Sequence, residues 1–190
     1  MLRPIFARRQ APASSDAPTD TDAILRQLAP DVRGWVFRYL GARAELDDVV
    51  QEALIELASA LARFRGDSSV RTYARRIVTR VASRHVRTPA GQARVHLVPD
   101  AEYAPDPEAI AMQRESLRRL YGALAELSET RRSAFVLCAI ERLPHDEVAA
   151  IEQVSVETLR ARLKRARAEL ADRLRDDPLL APLFRGGGHE

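Results

Sequence analysis

The amino-acid sequence predicts an all-α protein with two small helical domains joined by a flexible linker. Apolar residues recur at steps of three and four over most of the chain, which is the spacing of a helix with one buried face. No stretch alternates apolar and polar residues as a half-buried strand does. A segment with four prolines and no sustained period lies near the middle, and it predicts the linker between the two modules.

The first module is expected over residues 21–88, after a tail at 1–20 whose prolines and serines predict disorder. Helical spacing begins near Thr21. Pro30 suits the first turn of a new helix ending at Leu40, because proline lacks the N–H group that a helix start leaves unpaired. Gly41 can end that helix in the left-handed conformation.

The clearest helix is predicted from about Glu45 to Phe64, where eight apolar residues lie on one face. Ser68 or Ser69 can cap a third helix that ends near Pro89. The helix predicted from about Glu45 carries five acids, and the helix predicted after Ser68 and Ser69 carries six arginines. The acids of one helix could form ion pairs with the arginines of the other, but exposed ion pairs contribute little to stability. The separation of charge onto two helices suits two different partners, a basic protein for the acidic helix and a nucleic acid for the basic helix.

The second module is expected over residues 113–175, after an acidic linker at 89–112. Its last two helices, from Pro144 to about Glu152 and from Ser155 onward, have the spacing of a helix-turn-helix, whose second helix enters the major groove of DNA. In the tail at 176–190, the apolar residues before the glycines are expected to dock on this module.

The outward side of the long helix is strongly basic. Its buried side is predicted to hold Leu159, Leu163, Ala166 and Leu170. Its outward side carries Arg160, Arg162, Lys164, Arg165 and Arg167. Five cations within eight residues suit a groove lined by phosphates, and the acids that would balance a merely solvated helix come only after this block.

The composition excludes several classes of protein. Cys138 is the single cysteine, so neither a disulfide framework nor a cysteine-rich metal site is expected. No catalytic set of side chains and no glycine-rich phosphate loop stands at a useful spacing, so we expect no enzyme, no metal and no cofactor. No apolar run reaches the length of a membrane span, and no secretory signal precedes the first module, so a cytoplasmic protein without membrane insertion is expected.

Two stretches resemble the extracytoplasmic-function sigma factors, the group IV members of the sigma-70 superfamily. Asp47 to Ala53, Arg63 to Tyr73 and the pair Arg76-Ile77 are similar to sigma region 2, and Ser155 to Arg167 is similar to region 4. The resemblance covers roughly 22–88 and 113–175, in the order of the family. It implies a transcription initiation factor without enzymatic activity that binds core RNA polymerase and directs promoter recognition and opening.

The resemblance also implies a role for each part of region 2. In the family, the acidic helix docks on the clamp of the largest polymerase subunit, which assigns polymerase contacts to Asp48, Gln51 and Glu52. In the family, the loop and the basic helix that follow bind the minus-ten promoter element, and an unstacked base of that element is bound there. By position, the minus-ten contacts fall to Arg65, Gly66, Asp67, Ser68, Tyr73, Arg76, Arg80 and Arg84.

For region 4, the resemblance implies recognition of the minus-thirty-five element. By position, these contacts fall to Ser155, Thr158, Arg160, Arg162, Lys164, Arg165 and Arg167. The acidic linker is expected to thread through the polymerase near the transcript path. Members of the family are often held inactive by an anti-sigma factor, and the linker would allow such a partner to cover both modules.

Three positions depart from the pattern of the family. Tyr73 stands where many relatives have tryptophan, and the sequence alone favours the core for its ring over a stacked base. Arg80 stands where asparagine is usual, which leaves the preferred minus-ten sequence open. Glu152 and Gln153 replace a Leu-Gly pair at the turn, where a left-handed residue other than glycine costs of order 1 kcal/mol, so a slightly different turn is expected.

One alternative is a free-standing helix-turn-helix regulator that binds duplex DNA without polymerase. It accounts for residues 128–175 but leaves the acidic helix and the loop at 65–69 unexplained. Tight binding to core polymerase with weak binding to isolated duplex would favour the sigma factor.

Overall fold

The structure is a computed structural model in which residues 21–86 and 107–185 are described. Every regular element among these residues is a helix, which confirms the all-α prediction. The first module contains α1 (Thr21–Leu40), α2 (Leu46–Leu61) and α3 (Val70–Arg84). The second module contains α4 (Pro107–Glu126), α5 (Glu129–Phe135), a π-helical turn (Val136–Ile140), α6 (His145–Glu152), α7 (Val156–Arg173) and α8 (Ala181–Arg185). The tail predicted at 1–20 and residues 89–106 of the predicted linker lie outside the described residues, whereas residues 107–112, which the sequence assigned to the linker, already belong to α4.

The predicted helix boundary at Pro30 was wrong, because α1 is continuous through Pro30 and no second helix begins there. A proline inside a helix removes a backbone donor and costs about 3 kcal/mol. Leu28 and Val32 lie on either side of Pro30 and are buried in the same core, which offsets that cost. Gly41 ends the helix at a φ of 76°, as predicted, and its N–H donates to the Phe37 carbonyl at 2.8 Å.

In the first module, α1, α2 and α3 pack against one another. α2 buries the face that its spacing predicts, including Val49 and Leu57. Ser69 caps α3 as predicted, because its side-chain oxygen accepts from the Thr72 backbone N–H at 3.0 Å. The cap fixes the start of the basic helix directly after the loop at 65–69.

The second module holds the predicted helix-turn-helix in α6 and α7. Gln153 in the turn has a φ of 55° and a ψ of 46°, so the turn uses a left-handed residue although glycine is absent. Ser155 caps α7 as predicted by accepting from the Thr158 backbone N–H at 3.1 Å. The predicted buried side is confirmed, since α7 buries Leu159, Leu163, Ala166 and Leu170.

The C-terminal segment docks on the second module, as its apolar residues predict. Leu180 is buried, and the ring of Phe184 stacks on Phe135 with ring centroids 6.0 Å apart. The Asp177 carboxylate accepts from the backbone N–H groups of Leu179 and Leu180, each at 3.0 Å. These contacts make the segment part of the module.

The two modules also pack against each other, which the sequence did not predict. α6 lies against α3, and the first module further contacts α5 and the π-helical turn. The Tyr121 hydroxyl donates to the Arg38 carbonyl at 3.1 Å. The Tyr121 ring lies over Gly41, where a Cβ atom would come within 3.1 Å of it. One apolar core therefore continues from one module into the other.

Candidate polymerase and nucleic-acid interfaces

The outward face of α7 is an exposed strip of cations. We call it the α7 strip, and it consists of Arg160, Lys164, Arg165 and Arg167. None of the four has an ion-pair partner within residues 21–86 and 107–185. Arg162 differs, because it is half-buried and its guanidinium lies 3.6 Å from the Glu152 carboxylate. Since the buried side fixes the rotation of α7, the strip faces solvent, where it can meet a polyanion.

The N-terminal end of α7 is exposed and polar. Ser155 and Thr158, both predicted minus-thirty-five contacts, have hydroxyl oxygens 3.1 Å apart. Glu157 lies between them, and hydrogen bonds from its own backbone N–H and from the Ser155 side chain lower the pKa of its carboxyl. The end of the helix that would face base edges therefore combines two hydroxyls with one charged carboxylate.

On α2, two of the three predicted polymerase contacts are free. Asp48 and Gln51 are exposed and have no side-chain partner within the described parts of the chain. Glu52 instead bridges to α3, because its carboxylate accepts from Arg84 at 2.6 Å and lies 2.7 Å from the His85 Nε2 atom. Arg84 first, and His85 second, lower the pKa of Glu52. Glu52 is therefore a charged carboxylate that already has partners inside the module.

The predicted minus-ten residues divide into two groups. The loop exposes Arg65, Gly66, Asp67 and Ser68, and Arg76 is exposed on α3. Arg80 and Arg84 are instead paired with Glu56 on α2, at 3.2 and 2.5 Å. Charge is sorted by helix, as the sequence indicates. The two helices nevertheless bridge each other, so part of their charge is used inside the module.

Tyr73 lies in the core position that the sequence favours for its ring. The ring is half-buried with its centroid 4.9 Å from that of Phe64, and its hydroxyl donates to the Ala60 carbonyl at 3.3 Å. These contacts hold the ring at the base of the loop at 65–69.

Sequence reasoning missed a charged cluster around Trp35. Arg75 and Arg71 lie over the indole ring at 4.6 and 5.2 Å from its centroid. Glu141, from the second module, contacts Arg75 and lies 3.1 Å from the Nε atom of Arg38. Burial, together with the charges of Arg38 and Arg71, lowers the pKa of Arg75 to about 10. Arg71 and Arg75 stand one helical turn apart in the sequence, but nothing local marks Trp35 or Glu141 as their partners.

Comparison with known proteins assigns each of the two modules to a known protein family. Residues 24–90 match the family model described as Sigma-70 region 2, and residues 117–170 match that described as Sigma-70, region 4. The chain is 31% identical over 158 residues to the probable RNA polymerase sigma-C factor of Mycobacterium bovis, covering 82% of this chain and 84% of that protein. It is 29% identical over 178 residues to the RNA polymerase sigma-H factor of Pseudomonas aeruginosa, covering 86% of this chain and 88% of that protein.

Two solved structures are similar in fold. One is the sigma factor RpoE of Bartonella quintana in complex with the anti-sigma factor NepR, with a TM-score of 0.52 and 22% identity over 83% of this chain and 98% of that chain. The other is CnrH in complex with the cytosolic domain of CnrY, with a TM-score of 0.56 and 22% identity over 83% of this chain and 88% of that chain.

A region 2 bundle followed by a region 4 helix-turn-helix defines the sigma-70 class of transcription initiation factors. Within that class, this chain belongs to the extracytoplasmic-function (ECF) sigma factors, since it is also 31% identical over 158 residues to the ECF RNA polymerase sigma factor SigC of Mycobacterium tuberculosis, covering 82% of this chain and 84% of that protein. It acts in transcription initiation with RNA polymerase and recognises promoters. The match of residues 24–90 to region 2 accounts for the module that a free-standing regulator left unexplained. No described helix has the length and apolar character to cross a membrane.

Proposed function

We propose that the α7 strip binds the minus-thirty-five element of the promoter. The observation that carries the proposal is that four cations lie on the exposed side of a helix-turn-helix recognition helix and form no ion pair with any described residue. Arginine and lysine on this face can bind phosphates and the guanine edge in the major groove. Arg162 takes part only if it leaves Glu152, while Ser155 and Thr158 reach base edges from the start of the helix.

The minus-ten element is proposed to bind at the loop of residues 65–68, with Arg76 beside it. The loop is exposed, and Gly66 leaves open space where a side chain would otherwise stand, so a flipped base has room to approach the backbone. Tyr73 forms the floor below this loop. Arg80 and Arg84 contribute to phosphate binding after exchanging their carboxylate partners on α2 for DNA.

The exposed side of α2 is proposed to bind core RNA polymerase. Asp48 and Gln51 are free to contact a basic partner, and Glu52 joins them when that partner competes with Arg84 and His85. We propose that the chain has no catalytic activity and needs no cofactor. We also propose that the chain acts in the cytoplasm, where bacterial polymerase and chromosome are found.

We also propose that an anti-sigma factor regulates the chain. The support is the fold shared with RpoE and CnrH, the first of which was solved with an anti-sigma factor.

The proposed division of the chain into domains is a tail at 1–20, region 2 at 21–88, a linker at 89–112, region 4 at 113–175 and a tail at 176–190.

Run-off transcription tests the function directly. Purified chain is added to core RNA polymerase on a library of genomic fragments, and the start sites are mapped. Discrete transcripts that require the chain and share two upstream elements are expected. Core polymerase alone is the control. If a folded chain neither joins core polymerase in gel filtration nor yields any chain-dependent start site, the proposal is wrong.

A further inference from the structure

We propose that Glu152 withdraws Arg162 from DNA, so that the recognition helix α7 binds one phosphate fewer than its number of cations would allow. Glu152 is then a positioning residue that sets how tightly the chain binds DNA of any sequence. This role rests on the function proposed above, since it concerns DNA binding by the same helix. It assigns the Arg162 guanidinium to the protein rather than to the promoter.

Glu152 is fixed at the C-terminal end of α6, where the turn of the helix-turn-helix begins. The two oxygens of its carboxylate have separate partners. The Ser133 hydroxyl on α5 donates to Oε1 at 2.5 Å, and the Arg162 guanidinium on α7 lies 3.6 Å from Oε2. Ser133 is only 2% exposed, so it anchors Glu152 to the interior of the module. The carboxylate therefore connects three helices and places negative charge directly beside α7.

The surroundings of Glu152 favour keeping Arg162 in place. The Glu152 side chain is 14% exposed, and burial is the main cause that raises the pKa of its carboxyl. The nearby charge of Glu129 adds to this rise, whereas the Ser133 hydrogen bond and the charges of Arg162 and Arg76 oppose it. DNA that bound Arg162 would leave the carboxylate without this cation and close to phosphates. Both changes are unfavourable, so the ion pair persists on DNA.

Arg162 also lies apart from the α7 strip. It follows the buried Leu159 by three residues and precedes the buried Ala166 by four, which places it at the edge of the buried side of the helix. Its side chain is 24% exposed, whereas all four residues of the strip are exposed. DNA that lies against the strip can therefore be bound without Arg162.

The charge of Glu152 affects the part of DNA binding that does not depend on sequence. Contacts to phosphate supply that part, while contacts to base edges supply sequence preference. With Arg162 paired inside the protein, α7 makes one phosphate contact fewer. Glu152 therefore lowers the affinity for any duplex without changing which bases α7 contacts.

A salt titration of promoter binding by the reconstituted holoenzyme measures the number of phosphate contacts. Glu152→Gln removes the negative charge and keeps the shape, and Glu152→Leu introduces the residue that the family pattern has at this position. Both variants free Arg162, so the slope of log affinity against log salt should steepen by about 0.9. Between 50 and 200 mM salt, the affinity of either variant should fall about 3.5-fold more than that of the wild type.

Arg162→Ala shows whether the added contact belongs to Arg162. In the wild-type background this substitution should leave the slope unchanged, because Glu152 already holds the guanidinium. Combined with Glu152→Gln, it should return the steeper slope to the wild-type value. A merely structural effect of Glu152→Gln on the turn would not depend on Arg162 in this way.

Glu169→Gln is the matched control for the change in net charge. Glu169 is also a half-buried acid on α7, and its arginine partners, Arg131 and Arg173, lie outside the α7 strip. The slope of this variant should equal that of the wild type. If Glu169→Gln steepens the slope as much as Glu152→Gln does, the effect is one of net charge and the proposed role of Glu152 is wrong.

Arg160→Ala separates this role from the function on which it rests. If Arg160→Ala lowers the slope by about 0.9 and neither Glu152 variant steepens it, the role of Glu152 is overturned while the α7 strip keeps its function. If Arg160→Ala leaves the slope unchanged, the proposed function of the strip is refuted, and the role of Glu152 with it. Helical circular dichroism of each variant confirms that it is folded.

Discussion

Replacing Arg160 and Arg165 together with alanine is expected to remove recognition of the upstream promoter element without harming the fold. Both side chains are exposed, and neither has an ion-pair partner within the described residues, so the variant should melt at the wild-type temperature. Each phosphate contact contributes about 0.9 to the slope of log affinity against log salt, so two lost contacts lower that slope by about 1.8. Between 50 and 200 mM salt, affinity of the wild type should consequently fall about twelvefold more than that of the variant.

The assay is a salt titration of promoter binding by the reconstituted holoenzyme, alongside transcription from templates with and without the upstream element. Affinity for core polymerase should stay unchanged, because the α7 strip is proposed to face only DNA. Arg118→Ala, an exposed arginine on α4, is the matched control and should leave the slope as it is. An unchanged slope in the double variant, or loss of core binding, would refute the proposed role of the strip.

Three further predictions concern other parts of the chain. Asp48→Arg should weaken core polymerase binding in a competition assay, since the proposed partner of Asp48 is basic, whereas the control Glu126→Arg should not. If Asp48→Arg binds core polymerase as tightly as the wild type does, α2 is not part of the docking surface. Gln153→Gly should raise the free energy of unfolding by up to about 1 kcal/mol, because glycine adopts the left-handed conformation without strain, and a lower melting temperature would contradict this. Leu159→Ala should cost about 2–5 kcal/mol in chemical denaturation, as it empties a fully buried position under the turn, and a loss below 1 kcal/mol would argue against that packing.

Local patterns predicted the elements that depend on local physics. The four buried residues of α7 follow from its period, and the caps at Ser69 and Ser155 follow from side-chain chemistry at a helix start. Gly41 ended its helix in the conformation that its lack of a Cβ atom allows. These features needed no knowledge of what packs against them.

Tertiary contacts explain what the sequence did not predict. Pro30 is tolerated inside α1 because the residues on both sides of it share one core, and that core is not visible in local spacing. The partners of Arg80 and Arg84 depend on how α2 and α3 are rotated against each other. Glu141 and Arg75 are far apart in sequence, so no short-range pattern connects them.

The bridge between α2 and α3 couples the two proposed partners of region 2. Glu52 is a proposed polymerase contact and Arg84 a proposed DNA contact, yet the two form an ion pair 2.6 Å long with each other. If a cation of the polymerase forms an ion pair with Glu52, Arg84 loses part of its counter-charge and binds phosphate more tightly. Coupling between two ligands is reciprocal, so DNA that binds Arg84 raises the affinity of the chain for polymerase by the same factor. The pair is partly exposed, which limits this cooperativity to about 1 kcal/mol, or roughly fivefold in either affinity.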